Sequence, residues 1–256
     1  GPLGLSVLDS DPAAWQALVA EPTARAVTLA PFPDPALAVS QGRRLKAPTS
    51  AVPESPLGHS YFATDLGDAL ADPAVIRIDP ARPPNDNQTL VAWGGLLVDP
   101  VGSAATPDGR LIVLDAGSLD IPPRIVSVDP TPASGENVQI LLYEGTPLVQ
   151  KRPGCTAPNV RCGPTAIAID QPQGTVVVTD AGGPATTTTP TKPEVAPAVI
   201  RFVEGSEGLV ATLITSSNDL KAQGGVAIDV DHSILVSQPG QADSGKVVRI
   251  DRLSGL

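Results

Sequence analysis

Five-residue runs rich in Val, Ile and Leu recur along the chain, each closed by an acidic or amide residue. Tyr61-Phe62-Ala63-Thr64-Asp65, Leu111-Ile112-Val113-Leu114-Asp115, Val176-Val177-Val178-Thr179-Asp180 and Ile234-Leu235-Val236-Ser237-Gln238 share this form. Each is followed by a second run of similar pattern, starting at Val75, Ile125, Val199 and Val247, which lie 10, 10, 19 and 9 residues after the closing Asp or Gln. The one long interval holds the low-complexity stretch Thr186-Thr187-Thr188-Thr189-Pro190-Thr191-Lys192-Pro193. Runs of this length, rich in β-branched residues and bounded by Gly, Pro and Asp, predict strands.

Two more elements complete the repeat. Ser103-Ala104-Ala105-Thr106, Thr165-Ala166-Ile167-Ala168-Ile169-Asp170 and Gly225-Val226-Ala227-Ile228-Asp229 precede three of the closing-Asp strands. The turns Pro107-Asp108-Gly109 and Pro172-Gln173-Gly174 join two of these pairs, with glycine free to adopt positive φ. A fourth run follows in residues 89–93, 138–143 and 209–214. Each module therefore reads as a four-stranded antiparallel meander, the unit of a propeller blade. The fold class is all-β: a β-propeller with four blades visible, or five or six if the chain is part of a longer one. The last module ends after its third strand. Arg25-Ala26-Val27-Thr28-Leu29-Ala30 is expected to supply the missing strand and close the ring, and residues 35–40 to form the first strand of the first module. Ahead of them, residues 11–20 read as one short helix, with Asp11 as N-cap and Pro12 at the first helical position. Residues 1–23 thus form a leading segment and 24–256 the propeller. Gly1-Pro2-Leu3-Gly4 has the look of a remnant of a cleaved purification tag.

Composition narrows the function classes. The net charge is -10, and the densest basic group is Arg43, Arg44 and Lys46, so no nucleic-acid surface is expected. No apolar stretch approaches the roughly 20 residues of a membrane-spanning helix. The two cysteines, Cys155 and Cys162, flank a Pro- and Gly-rich loop without metal-ligand spacing, and are expected to form a disulfide. That predicts an extracytoplasmic location: periplasm, cell surface or secreted.

The repeat pattern of residues 165–182 and 225–251 resembles NHL-type repeats. It is similar to the propellers of the SMP-30/gluconolactonase and strictosidine-synthase-like families over residues 57–252. These families usually have six modules, and their enzymes hold a divalent cation over the central channel. The repeat places Asp65, Asp115, Asp180 and Gln238 around one mouth of that channel, where their oxygens suit a hard cation such as Ca²⁺. The alternative reading is that each carboxylate accepts hydrogen bonds from the backbone of the following turn.

Histidine chemistry has little material. His59 precedes a second strand and is the candidate base, whereas His232 lies in the turn Asp231-His232-Ser233 and is expected to be exposed. Arg77, Arg201 and Arg249 share one repeat position and are expected to be solvated or to pair with a neighbouring module. Asn87-Gln88-Thr89 matches the glycosylation sequon. Nucleophile-elbow and phosphate-loop motifs are missing from the sequence. With so few catalytic residue types, the leading expectation is a non-catalytic binding or scaffold module for a protein or glycan partner, with a dimer as an open option. The alternative is a metal-dependent hydrolase or lyase of the SMP-30/gluconolactonase type.

Overall fold

The computed structural model describes residues 40, 44–54, 60–84, 86–131, 137–152, 155, 162–171, 173–185, 194–206, 208–217, 220, 223–238 and 245–251. The chain divides into two compact units, Gly1–Ala38 and Val39–Leu256, and all described residues belong to the second. The helix expected in residues 11–20, the closing strand 25–30 and His59 lie outside the described residues.

Four antiparallel sheets follow one another along the chain. Blade 1 comprises β1 (Pro48–Pro53), β2 (Tyr61–Asp65), β3 (Ala74–Ile78) and β4 (Gln88–Trp93). Blade 2 comprises β5 (Pro100–Ala105), β6 (Leu111–Asp115), β7 (Arg124–Val128) and β8 (Gln139–Glu144). Blade 3 comprises β9 (Pro164–Asp170), β10 (Thr175–Asp180), β11 (Ala198–Gly205) and β12 (Gly208–Ser216). Blade 4 comprises three described strands, β13 (Gly225–Ile228), β14 (Ile234–Gln238) and β15 (Lys246–Ile250). Within each blade the strands pair in chain order, so each sheet is a meander. The first strands pack side by side, β1 on β5, β5 on β9 and β9 on β13, which makes them the inner, channel-lining strands of a β-propeller.

The first strand of blade 1 is Pro48–Pro53, not residues 35–40. The segment Pro48-Thr49-Ser50-Ala51-Val52-Pro53 lacks an apolar run, yet it pairs with β2 from Pro48↔Asp65 to Pro53↔Tyr61. An inner strand has one edge free of ladder bonds and faces a channel rather than a core, so proline at its ends and polar residues within it are tolerated.

The closing-Asp strands are apolar on both faces because each is sandwiched between blades. In β6, Leu111 and Val113 pack with Phe62, Val75 and Ala92 of blade 1. The alternate residues Ile112 and Leu114 pack with Val178, Ile200 and Phe202 of blade 3. The period-2 alternation of a strand thus feeds two separate cores rather than one core and one wet face. Blade 4 joins the same way, through Val177 and Val199 of blade 3 against Ile234, Val236 and Ile250.

Candidate functional site

The meander fixes two chemically different ends. At one end lie the turns from first to second strand. At the other lie the second-to-third loops and the connections between blades.

The loop end carries the aspartates that the repeat predicts. Asp65 accepts hydrogen bonds from the backbone N–H of Lys46 at 2.8 Å, Ala47 at 3.1 Å and Gly67 at 2.7 Å. Asp115 accepts from Val98 at 2.6 Å, Asp99 at 2.9 Å and Gly117 at 2.8 Å. Asp180 accepts from Val149 and Gly182, both at 2.7 Å. Each carboxylate therefore ties the incoming connection of its blade to the loop that leaves it. The glycine two residues on is at positive φ in all three blades, and a Cβ on Gly67, Gly117 or Gly182 would lie 2.1–2.3 Å from a backbone oxygen across the loop. The repeat unit is thus Asp-x-Gly, a backbone clamp. Burial pushes the Asp115 carboxyl above its ordinary range, and pushes Asp180 up to about 7 despite its two amide bonds. Gln238, at the equivalent position in blade 4, is buried with its Nε2 lacking a hydrogen-bond partner. Among the described residues no three His, Cys, Asp or Glu side chains are grouped to hold a metal ion. As placed, Asp65, Asp115 and Asp180 each face backbone amides of their own loops rather than one another.

Two further features stand at this end, the first of them not expected. Lys151, ahead of β9, forms an ion pair with the buried Asp99, ahead of β5, and so links blades 2 and 3; burial lowers the Lys151 ammonium pKa. The disulfide Cys155–Cys162 forms as expected, in the connection between the same two blades.

The turn end holds a cavity of about 430 Å³ lined by the far ends of the inner strands, among them Val52, Glu54, Ser103, Ala105, Ile169 and Gln171. Next to Gln171 is Asp170, the last residue of β9, almost fully buried. Its Oδ1 lies 2.6 Å from Nδ1 of His232, in the β13–β14 turn of the next blade. His232 is therefore not the free surface residue expected of that turn: its side chain is one-third exposed and tethered across the blade boundary.

The turn shows why this is unusual. In blade 2, Gly109 N–H donates to the Thr106 carbonyl and Thr106 N–H to the Arg110 carbonyl, with Gly109 at φ +86°. In blade 4 the same two bonds run from His232 to Asp229 and from Asp229 to Ser233, with His232 at φ +66°. His232 occupies the left-handed position that glycine takes in blade 2, and it is the one non-glycine at positive φ among the described residues. An L-residue there costs about 1–2 kcal/mol, a strain that accumulates at functional positions. The repeat alignment was the signal available in sequence: Asp231-His232-Ser233 stands where Asp108-Gly109-Arg110 stands.

Two of the three repeated arginines, Arg77 and Arg249, are held within their own blades rather than across blade boundaries. Arg77 pairs with Glu54 at 2.7 Å, and Arg249 pairs with Asp231.

No family model and no curated protein matches the sequence. Solved structures do, and they define the class as β-propeller. The chain is similar to a chain of hydrazine synthase from Kuenenia stuttgartiensis, with TM-score 0.50 and 20% identity, covering 83% of this chain and 48% of that one. It is similar to a carbohydrate-active enzyme of family AA12 from Trichoderma reesei, with TM-score 0.50 and 14% identity, covering 77% and 66%. A gluconolactonase from Xanthomonas campestris matches with TM-score 0.44 and 17% identity, covering 74% and 53%. The chain thus spans between about half and two thirds of these solved chains. At these identities the likeness shows the β-propeller fold; the two proteins matched at TM-score 0.50 are named as enzymes, which counts against the expectation of a non-catalytic binding or scaffold module.

Proposed function

We propose that this propeller is the body of an exported hydrolase or lyase in which His232 is the general base and Asp170 its orienting partner. The observation that carries this is the dyad itself. A buried carboxylate accepts from His232 Nδ1–H, which fixes the tautomer and leaves the Nε2 lone pair directed away from Asp170. Asp170 also stabilises the imidazolium that forms when Nε2 takes a proton, from water in hydrolysis or from a carbon acid in elimination. The left-handed backbone of His232 supports the reading, because a purely structural turn would take glycine as blade 2 does. The cavity at the same end of the propeller, lined by Ile169 and Gln171 on either side of Asp170 in sequence but by neither dyad residue, has the size and character of a small-molecule site. Its neighbours in fold support a small, sugar-derived substrate of the kind that SMP-30/gluconolactonase-type propellers take. The disulfide supports export.

The test is a turnover screen over lactones, esters and uronate-containing oligosaccharides, run on the wild-type chain and on His232→Gln. Activity that falls at least 100-fold in the variant, with the melting temperature retained, supports the assignment. Undiminished activity in His232→Gln removes it.

A further inference from the structure

Blade 4 departs from the repeat at its outer edge. In blades 1, 2 and 3 the third strand is an interior strand: β3, β7 and β11 pair on their outer sides with β4, β8 and β12. Among the described residues the sheet of blade 4 ends at β15. One edge of β15 is taken by β14, in register from Ile234↔Ile250 to Gln238↔Lys246. The other edge presents backbone N–H and C=O groups with no described strand beside them.

Burial follows the same division. Val75, Ile125 and Val199 stand second in the third strands of blades 1–3, and each is fully buried in the core shared with the following blade. Val247 holds the same position in β15 and is 67% exposed. Its neighbour Val248 is only partly buried, whereas its equivalents Ile76, Val126 and Ile200 are closed off completely. On the Val247 face of β14 stand the half-buried Leu235 and the exposed Ser237. A bare edge with an apolar face of this kind is a template for another strand.

Charge selects which strand. Residues 246–250 hold two cations, Lys246 and Arg249, and no acid, on a chain of net charge -10. A second copy of the chain therefore meets little acidic repulsion along this strand. Arg249 is neutralised at home, by Asp231 and by Asp229 at 3.8 Å. In an antiparallel pair, a two-fold axis through Val248 sets Val248 against Val248, Val247 against Arg249 and Lys246 against Ile250, so no like charges face each other. The aliphatic stem of Arg249 then covers Val247 of the other copy. An axis through Arg249 instead would set the two guanidiniums against each other. The edge is thus self-complementary in one register, which is the condition for an isologous pair.

We infer that β15 is an interface at which two copies of this chain pair, antiparallel about Val248, so that two three-stranded sheets become one continuous sheet. The pairing requires neither a ligand nor turnover, so it stands or falls separately from the His232–Asp170 assignment.

Sedimentation equilibrium of the intact chain over a concentration series is expected to show a monomer–dimer equilibrium. Val247→Lys changes an exposed site and sets a lysine against Arg249 of the second copy; it should weaken the dimer at least tenfold with the melting temperature retained. The β15 amides that point away from β14 should exchange hydrogen rapidly in the monomer and slowly in the dimer. Val248→Cys puts one free thiol on the axis, because Cys155 and Cys162 are already paired. Opposed Cα atoms in an antiparallel pair stand about 4.5–5.5 Å apart, within disulfide reach. Mild oxidation should therefore cross-link this variant into dimers at least tenfold faster than Val210→Cys, on the exposed outer strand of blade 3. A chain that stays monomeric at about 1 mM, an assembly larger than two, a dimer undisturbed by Val247→Lys, outward β15 amides already protected in the monomer, or cross-linking no faster than in Val210→Cys would each overturn the inference.

Discussion

Blades 2 and 4 are built on the same template, yet the buried aspartates beside them, Asp115 in blade 2 and Asp170 at the end of β9 in blade 3, face different partners. Asp115 of blade 2 is surrounded by backbone N–H groups of Val98, Asp99 and Gly117. Asp170, at the boundary of blade 4, faces the imidazole of His232. The turns differ in the same sense, with Gly109 in blade 2 and His232 in blade 4 at one left-handed position. A repeat protein exposes function by where it departs from its own repeat. The aspartate that recurs in blades 1, 2 and 3 is part of the scaffold, and the histidine that occurs once in these turns, at a conformational cost, is the candidate for chemistry.

That contrast breaks most visibly at Asp115. Replacing it by alanine leaves three buried N–H donors without acceptors, at about 1–3 kcal/mol each before relaxation. Asp115→Ala should therefore destabilise the chain by about 4 kcal/mol in denaturant unfolding and act on calcium affinity not at all. A calcium titration of chelator-treated protein that shows tight binding lost in this variant would make the carboxylate a ligand and reverse the comparison.

Asp180 sharpens it through pH. Its carboxyl is raised from 3.8 to about 7, with burial as the leading cause. In the range between those values the folded state keeps a proton that the unfolded chain releases. The stabilisation is complete below about pH 4 and is lost as pH rises towards 7. Unfolding free energies of wild type and Asp180→Asn across pH 4–8 should diverge, the wild type showing this fall and the variant lacking it. Parallel curves would mean that the two amide bonds, not burial, set the ionisation of the clamp.

The dyad comes next in size. His232→Gln should lower kcat/KM on any substrate found by at least 100-fold, about 2.7 kcal/mol of transition-state stabilisation, while changing folding stability by about 1 kcal/mol or less. Asp170→Asn should reduce kcat more than KM changes, because it disturbs the tautomer rather than binding.

Much of this architecture is legible in the residues. The strands containing Leu111–Asp115 and Thr175–Asp180 are identifiable because burial on both faces demands a continuous apolar run, and the pairing of Cys155 with Cys162 follows from their loop. The strand Pro48–Pro53 is not, because a channel-facing inner strand has no core to match and leaves no apolar pattern. The Asp-x-Gly clamp is visible as a repeat, but its role depends on amides such as Val98 and Val149 that lie 17 and 31 residues away from their acceptors. The His232–Asp170 dyad spans 62 residues and two blades, so only the register of one module against another can reveal it.

The smallest effect tests the argument that the His232 backbone is costly. Gly109 has open space where a Cβ would stand, so substitution there meets no clash and reports conformation alone. Gly109→Ala should destabilise the chain by about 1 kcal/mol, the cost of a left-handed L-residue. Gly109→His should cost about the same, because the carboxylate beside it, Asp108, is exposed and already paired with Arg110. His232→Gly should recover about 1 kcal/mol from the relaxed backbone and lose a comparable amount with the Asp170 bond, leaving melting temperature nearly unchanged. His232→Ala keeps the strained backbone and loses the bond, so it should be the least stable of the blade 4 variants. If Gly109→Ala is neutral, the left-handed position is inexpensive in this turn, and the presence of histidine there ceases to argue for a function. If it costs as expected while His232→Gly is neutral, the turn of blade 4 holds its histidine for a reason other than stability.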